Sequence, residues 1–409
     1  MRPAVLGHRS ETVRRANLAA IVRALHLRGP LSRSALVAQT GLTRSTIRAL
    51  IGEFVAADMV DEERAQPLGT PGRPSSLVRP NPESATVLAI EIAVDSLAMA
   101  LVGLGGEVLQ SARIDRVRSR LTVDEIVADL AELTSGVRAD QRIRDSIVGV
   151  GVAVVGVVRR PDGLVRVAPN LGWRDVPLGE RLRVALDLPV PIAVGNDADL
   201  GALGEARRGA ARGADTVLFI AGDVGVGGGL IIDGVPLTGI AGYGGEVGHI
   251  PVRDDGLPCS CGSSGCWESE IGAHALLRHA GRSIDGGRAE IEAVVAAAER
   301  GERRSLDAVE RVGRWLGFGL AGLVNVFNPR LVVMGGLFVR MLPLVANIVS
   351  AELDRRTLPA TRRLVTVMPA TLGIDASLIG AAELAFEPLL DDPAAWLRPR
   401  PLLRTLASA

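Results

Sequence analysis

The chain has 409 residues and a formal net charge of zero, from 46 basic and 46 acidic side chains. At 47% hydrophobic and 22% charged, it is long enough for two or three domains and too apolar to be disordered. Every Lys+Arg position is arginine, which excludes a Walker-type phosphate loop with its Gly-Lys-Ser/Thr run. An aromatic content of 3% beside 48 glycines favours an α/β protein with many tight turns over a β-sandwich.

The zero sum hides an asymmetry. Residues 1–80 hold 12 arginines against six acidic residues, a net +6, which leaves −6 for the rest. A basic first module is thus joined to an acidic body, and the turn-rich stretch Gln66–Pro82 marks the boundary. Met1–Ser10 lacks the apolar stretch of a secretory signal. The longest apolar run, Ile147–Val158, has 12 residues. A membrane span needs about 20. The expected setting is cytoplasmic, without a membrane partner.

In the basic module, Thr12–Arg28 places apolar residues at three- and four-residue steps and stops at Gly29-Pro30, which predicts a helix. Ser32 is a plausible N-cap for a short second helix running to Gln39. After the turn Thr40-Gly41-Leu42, a third helix begins at Thr43 and buries Ile47, Leu50, Ile51 and Phe54. Arg44, Ser45 and Arg48 lie opposite that stripe, with Thr46 nearby. Two helices around a short glycine turn, the second with a polar basic start, form a helix-turn-helix pattern. Met59–Arg64 and Leu77–Arg79 read as two wing strands, with Gly72-Arg73-Pro74 at the tip. Arg44, Ser45, Thr46 and Arg48 are then expected to approach the major groove and Arg73 an adjacent minor groove, while Thr43 caps the helix, whose first turn could hold a DNA phosphate. The partner is a double-stranded DNA operator.

The body alternates strands and helices. Strands are expected over Val87–Val94, Leu97–Gly103, Ile147–Val158, Ile192–Gly195, Thr216–Ala221, Gly229–Ile232 and Leu331–Met334. Thr122-Val-Asp-Glu125 is a capping box that opens a helix to about Ser135. Two such sets imply a two-lobed α/β body with a cleft between the lobes. His249 together with Cys259, Cys261 and Cys266 offers one imidazole and three thiolates, a tetrahedral set suited to a structural Zn²⁺. Gly262 and Gly265 would let the loop fold back so that the sulfurs converge.

These residues resemble the ROK family of repressors and sugar kinases. The resemblance rests on Pro169-Asn170-Leu171-Gly172-Trp173, Gly195-Asn196-Asp197, Gly245-Glu246-Val247-Gly248-His249-Ile250, the Cys-x-Cys-Gly-x-x-Gly-Cys-x-Glu268 run, Val333-Met334-Gly335-Gly336 and Asp375–Ala382. It implies an actin-like, ribonuclease-H-type sugar kinase fold behind an N-terminal winged helix-turn-helix. The expected division is 1–80 for the DNA-binding domain with wing and linker, 81–205 plus 372–409 for the first lobe, and 206–371 for the second lobe with the zinc motif. It also implies sugar contacts from Asn170, Asn196, Asp197, Glu246, His249 and Glu268, and a homodimer or homotetramer.

The nucleotide side departs from the family pattern. Where the kinases carry Asp-x-Gly-x-Thr, this chain has Glu91-Ile92-Ala93-Val94-Asp95, and Asp223 stands in the second phosphate loop where kinases tend to carry a small hydroxyl residue. The expected function is a sugar-responsive repressor of carbohydrate uptake or catabolism genes that binds a sugar without phosphorylating it. Asp197 retains the position of the kinase base but no catalytic role is expected. An active ATP-dependent sugar kinase with a DNA-binding domain is the alternative, and a body that only oligomerises is a third reading.

Overall fold

The structure, a computed structural model, describes residues 10–63, 76–116 and 122–397. Arg73 and its wing tip lie outside the described residues, as does the tail beyond residue 397.

The first module is built from α1 (Ser10–Arg28), β1 (Leu31–Ser32), α2 (Arg33–Thr40), α3 (Arg44–Ala56), β2 (Val60–Glu63) and β3 (Leu77–Pro80). Local chemistry sets each boundary. The Ser32 hydroxyl accepts from the Ala35 N–H, and Thr43 accepts from the Thr46 N–H, so both helices start on side-chain caps. Gly41, at φ +69°, ends α2 in the left-handed conformation that glycine adopts without strain. The buried face of α3 is Ile47, Leu50, Ile51 and Phe54, as its spacing predicts. The three strands pair antiparallel in the order β1-β3-β2. The turn-rich stretch is ordered over its described end. Asn81 donates from its side chain to the Asp58 carbonyl at 3.0 Å, and its N–H donates to the Met59 carbonyl.

Next come β4 (Thr86–Ile92), β5 (Ser96–Gly103), β6 (Val108–Asp115), α4 (Val123–Leu133), α5 (Ser135–Ala139), α6 (Gln141–Ser146) and β7 (Ile147–Val154). They are followed by β8 (Val157–Arg159), β9 (Leu164–Ala168), β10 (Trp173–Pro177), α7 (Leu178–Leu186), β11 (Ile192–Asn196) and α8 (Asp197–Arg207). The remainder holds β12 (Val217–Gly222), β13 (Val226–Ile232), β14 (Val235–Pro236), α9 (Glu268–Ile271), α10 (Ala273–Ala280), α11 (Gly287–Glu299) and α12 (Arg303–Phe327). The chain closes with β15 (Leu331–Gly336), α13 (Leu337–Arg356), α14 (Pro359–Arg362), β16 (Thr366–Pro369) and α15 (Ala376–Asp391).

Two five-stranded sheets dominate the body, ordered β11-β7-β4-β5-β6 and β14-β13-β12-β15-β16. In each, three antiparallel strands lead and two parallel strands follow on the other side of the first. This repeated order is the duplicated ribonuclease-H-type pattern of an actin-like fold. The Val-Gly alternation of β7 explains itself in this packing. Val150, Val152 and Val154 enter the core on one face. On the other, a Cβ at Gly149 or Gly151 would stand 2.7 or 1.9 Å from the α15 carbonyls of Ala385 and Ala381. Only glycine lets the sheet and helix approach that closely. The Thr122–Glu125 capping box is present in both directions. Among the described residues, no helix is long and apolar enough to cross a membrane.

Candidate functional site: an acidic cleft beside a cysteine–histidine cluster

The strand β11 ends where α8 begins, and Asn196 forms the joint. Its Oδ1 accepts from the Ala198 and Asp199 N–H groups at 2.9 and 3.0 Å, and its Nδ2 donates to the Gly156 carbonyl at 3.0 Å. Two of its four hydrogen-bonding positions cap the helix and a third goes to Gly156, which leaves one amide hydrogen for a ligand. Asp197, the first residue of α8, follows from this cap. Burial pushes its carboxyl up to about 7, and the nearby charges of Asp223, Glu91 and Glu246 push in the same direction. Asp199 is also pushed to about 7 by burial, and the Glu246 charge adds to this against the pull of Arg160. Sequence reading passed over Asp199. A second acid in the first turn of a helix looks like a dipole partner, yet this one is only 5% exposed.

Glu246 and His249 sit on the short turn Val247–His249 and its cap. The His249 Nε2 lies 3.9 Å from Glu246, and its Nδ1 lies 3.8 Å from Glu268. Burial raises the Glu246 pKa, with the Glu268 charge adding to it and His249 opposing. Glu268 Oε2 accepts from the Val226 N–H at 3.3 Å, which ties the start of α9 to β13. Asn170 and Glu268 meet across a cavity of about 130 Å³, lined also by Gly225, Cys259, His274 and Arg278.

The potential ligand atoms of His249, Cys259, Cys261 and Cys266 all lie within 4.8 Å of one another, so the set could hold a metal ion. The His249 Nδ1 is 3.6 Å from the Cys259 sulfur, and the Cys261 and Cys266 sulfurs are 3.7 Å apart. Gly262 and Gly265 take φ of +95° and +71°, and a Cβ at Gly265 would stand 1.8 Å from the Arg253 carbonyl. The loop is anchored by Trp267, fully buried, whose Nε1 donates to the Trp315 carbonyl of α12 at 2.8 Å. One ring nitrogen of His249 thus faces the sulfurs and the other faces the cleft.

The residues at the positions that match the kinase phosphate loops are engaged by protein. Glu91 accepts from Arg113 at 2.8 Å, and Arg113 also donates to Asp375 at 2.9 Å. Asp95, in the β4–β5 turn, pairs with Arg288 of α11 at 3.5 Å. Burial pushes Asp223 up to about 6, with Arg288 opposing and Asp95 adding to the shift. The glycines of β13 serve packing, since a Cβ at Gly227 or Gly229 would stand 2.6 Å from Ala198 or Ala202 of α8.

In the N-terminal module, Thr43, Arg44, Ser45 and Arg48 are exposed on one end and face of α3, with Thr46 half-buried beside them. The Thr43 hydroxyl is 2.9 Å from those of Ser45 and Thr46. Glu53, on the other side of α3, is paired with Arg14 of α1.

Together these features define a class: a helix-turn-helix module carried by an actin-like body whose cleft is acidic on one wall and flanked by a metal-type cluster. Comparison with known proteins agrees. The model of the ROK family matches residues 87–387, and the chain belongs to that family. It is 26% identical to a xylose repressor of Bacillus spizizenii over 93% of this chain and 97% of the repressor. It is 33% identical to a glucokinase of Streptomyces coelicolor, over 74% of this chain and 98% of the kinase. Among solved structures, a ROK family transcriptional regulator described as a homolog of the E. coli MLC protein superposes with a TM-score of 0.74 at 25% identity, over 94% of this chain and 97% of that one. Similarity to the repressor and the regulator runs through the N-terminal module, whereas the glucokinase is matched by about three quarters of this chain.

Proposed function

We propose that this protein is a sugar-responsive transcriptional regulator, a repressor of carbohydrate uptake or catabolism genes that binds operator DNA through α3. The observation that carries this reading is the exposed Arg44, Ser45 and Arg48 face, presented by a capped helix on a module that relatives named as repressors share along their length. The sugar is held in the cleft by Asn170, Asp197, Glu246, His249 and Glu268, with Asn196 chiefly shaping the start of α8. A sugar offers a ring of hydroxyls, each donor and acceptor, and carboxylates and amides match them in pairs.

The four-residue cluster fits a structural zinc. Tetrahedral zinc with Zn–S near 2.3 Å and Zn–N near 2.0–2.1 Å needs S···S edges of about 3.8 Å and S···N edges of about 3.6 Å. Two edges of the cluster measure 3.7 and 3.6 Å, and all four ligand atoms lie within 4.8 Å of one another. When bound, the ion would fix the pose and tautomer of His249, leaving Nε2 for the sugar. The division into a 1–80 module, a first lobe of 81–205 with 372–409 and a second lobe of 206–371 frames this reading, with a homodimer or homotetramer placing two modules on a palindromic operator.

Phosphoryl transfer is not part of the proposal. Arg113 stands against the carboxylate of the first phosphate position, and Asp95 and Asp223 add negative charge where a triphosphate would lie. The deciding experiment is operator binding by purified protein across a panel of pentoses, hexoses and amino sugars. A sugar that shifts the operator Kd supports the reading. An operator affinity indifferent to all of them, with no sugar binding by calorimetry, favours a body that only oligomerises.

A further inference from the structure

The DNA-reading module is fused to the body by more than the chain connecting β3 to β4. Leu18, Ile21, Val22 and Leu25 of α1 share one apolar core with Leu203, Phe386, Leu389 and Leu390. The last carbonyls of a helix lack intrahelical partners. In α1 they are met by arginines that follow α8. Arg208 donates to the His26 carbonyl at 2.8 Å, and Arg212 donates to the Leu27 carbonyl at 2.7 Å. Arg208 also donates to the Gly105 carbonyl at 2.7 Å and to Glu383 at 2.6 Å. Its guanidinium rests on Gly106, at φ +86°, where a Cβ would stand 2.4 Å away.

His26, 0% exposed, completes the joint. Its Nδ1 accepts from the Gly105 N–H at 3.1 Å, so the ring proton sits on Nε2, 3.2 Å from Glu383. Glu383 in turn takes Arg207 and Arg208, and Arg207 reaches on to Glu387.

The other end of the same helix is the cleft. α8 has 11 residues, roughly 16 Å of rise, with Asp197 at its start and Arg207 at its end. It is wedged without slack between α15 on one side and the sheet of β12 and β13 on the other. A Cβ at Gly204 would stand 2.4 Å from the Ala376 carbonyl, and one at Gly380 would stand 1.7 Å from the Leu200 carbonyl. On the far side Gly227 and Gly229 admit Ala198 and Ala202 equally closely. Packing this tight does not deform continuously, so a shift of the β12–β13 sheet against α15 moves α8 as a body.

We propose that α8 is a rigid rod coupling sugar binding at Asp197 to the setting of α1, with Arg208 as the joint to the DNA-reading module. The proposal rests on the sugar-sensing reading of the cleft. Lobe closure on a sugar displaces the α8 start, and the arginine clamp carries that displacement to α1, whose own core sets the angle of α3. Arg208 is a positioning residue that touches neither sugar nor DNA.

The test measures operator Kd with and without the effector sugar in the wild type, Arg208→Ala and Gly106→Ala, with sugar Kd from calorimetry. Coupling between sites is commonly 5–150-fold. The expected result is that the sugar-dependent change in operator Kd collapses to within about twofold in both variants, while sugar Kd and sugar-free operator Kd stay within about threefold. Arg208→Lys, which keeps the charge without the fork, should restore part of the coupling. Should the alanine variants fail to fold, hydrogen exchange in the wild type takes their place, and added sugar should alter protection in 10–28 together with 197–207. Coupling unchanged in folded variants, or exchange at α1 indifferent to sugar, overturns the rod. A wild type whose operator affinity ignores every sugar overturns the sensing reading and the rod with it.

Discussion

Arg113 donates to Glu91 at 2.8 Å and to Asp375 at 2.9 Å, so the carboxylate at the first phosphate position is already paired with a fixed cation. A carboxylate used in phosphoryl transfer must be free to hold Mg²⁺ or its water shell. Here the Arg113 guanidinium takes that electrostatic role, and Asp95 is likewise paired, with Arg288. Coupled assays with ATP, Mg²⁺ and hexoses or pentoses should therefore show no turnover above a protein-free blank. Sugar phosphate accumulating beyond one equivalent per chain would place the protein among the kinases.

The cluster of His249, Cys259, Cys261 and Cys266 makes a second expectation. Purified protein should contain about one zinc per chain, because four converging ligands leave no open position. Cys261→Ser should reduce the content to near zero. It should also weaken sugar binding at least tenfold, since freeing His249 removes the constraint on its cleft-facing nitrogen. Metal analysis and calorimetry on the same sample decide this, and retained sugar affinity in zinc-free protein would separate the two sites.

How much of this was legible beforehand depends on the range of the interaction. Caps at Ser32, Thr43 and Thr122 and the buried stripe of α3 are short-range chemistry, and the sequence spelled them out. The edge strand β6 has no sequence signal, because Val108–Asp115 is largely exposed and carries no two-residue alternation. The expected strand over Ile147–Val158 divides into β7 and β8, and β9 and β10, which pair with β8 in a small sheet, flank the Pro-Asn-Leu-Gly-Trp run without a strand signal of their own. The site residues near Glu246 were reachable through their motifs. Asp95 with Arg288, and Arg208 with His26, are contacts between distant segments, and no local pattern announces them. The Asn196 side chain makes two bonds to the backbone of α8 and one to Gly156, a capping duty that its motif does not announce.

A third prediction concerns pH. Asp199 has a folded pKa pushed to about 7 by burial, against an ordinary value of 3.8. The folded state then holds the proton more tightly than the unfolded state. The stability this contributes is complete below about 3.8 and is lost as pH rises through about 7. Asp199→Asn removes the charge while keeping the shape. Its stability relative to wild type should improve by about 2 kcal/mol between pH 5 and pH 8. Denaturant melts at the two pH values provide the comparison, and a difference that does not change with pH would show a solvated carboxylate.

The last prediction addresses DNA reading. Arg44 and Arg48 are exposed one helical turn apart on α3, and Glu53, on the other side of the helix, is held by Arg14. An arginine bidentate to a guanine is worth about 1–3 kcal/mol of discrimination, whereas one on a phosphate weakens all sequences alike and lowers the salt slope by about one. Arg44→Ala and Arg48→Ala should each weaken operator binding roughly 5- to 150-fold on that scale. Neither touches the cleft, so calorimetric sugar affinity should stay unchanged. Titrations on operator and scrambled DNA at two salt concentrations assign each arginine to base or phosphate. Operator binding that survives both substitutions would move the reading surface away from α3.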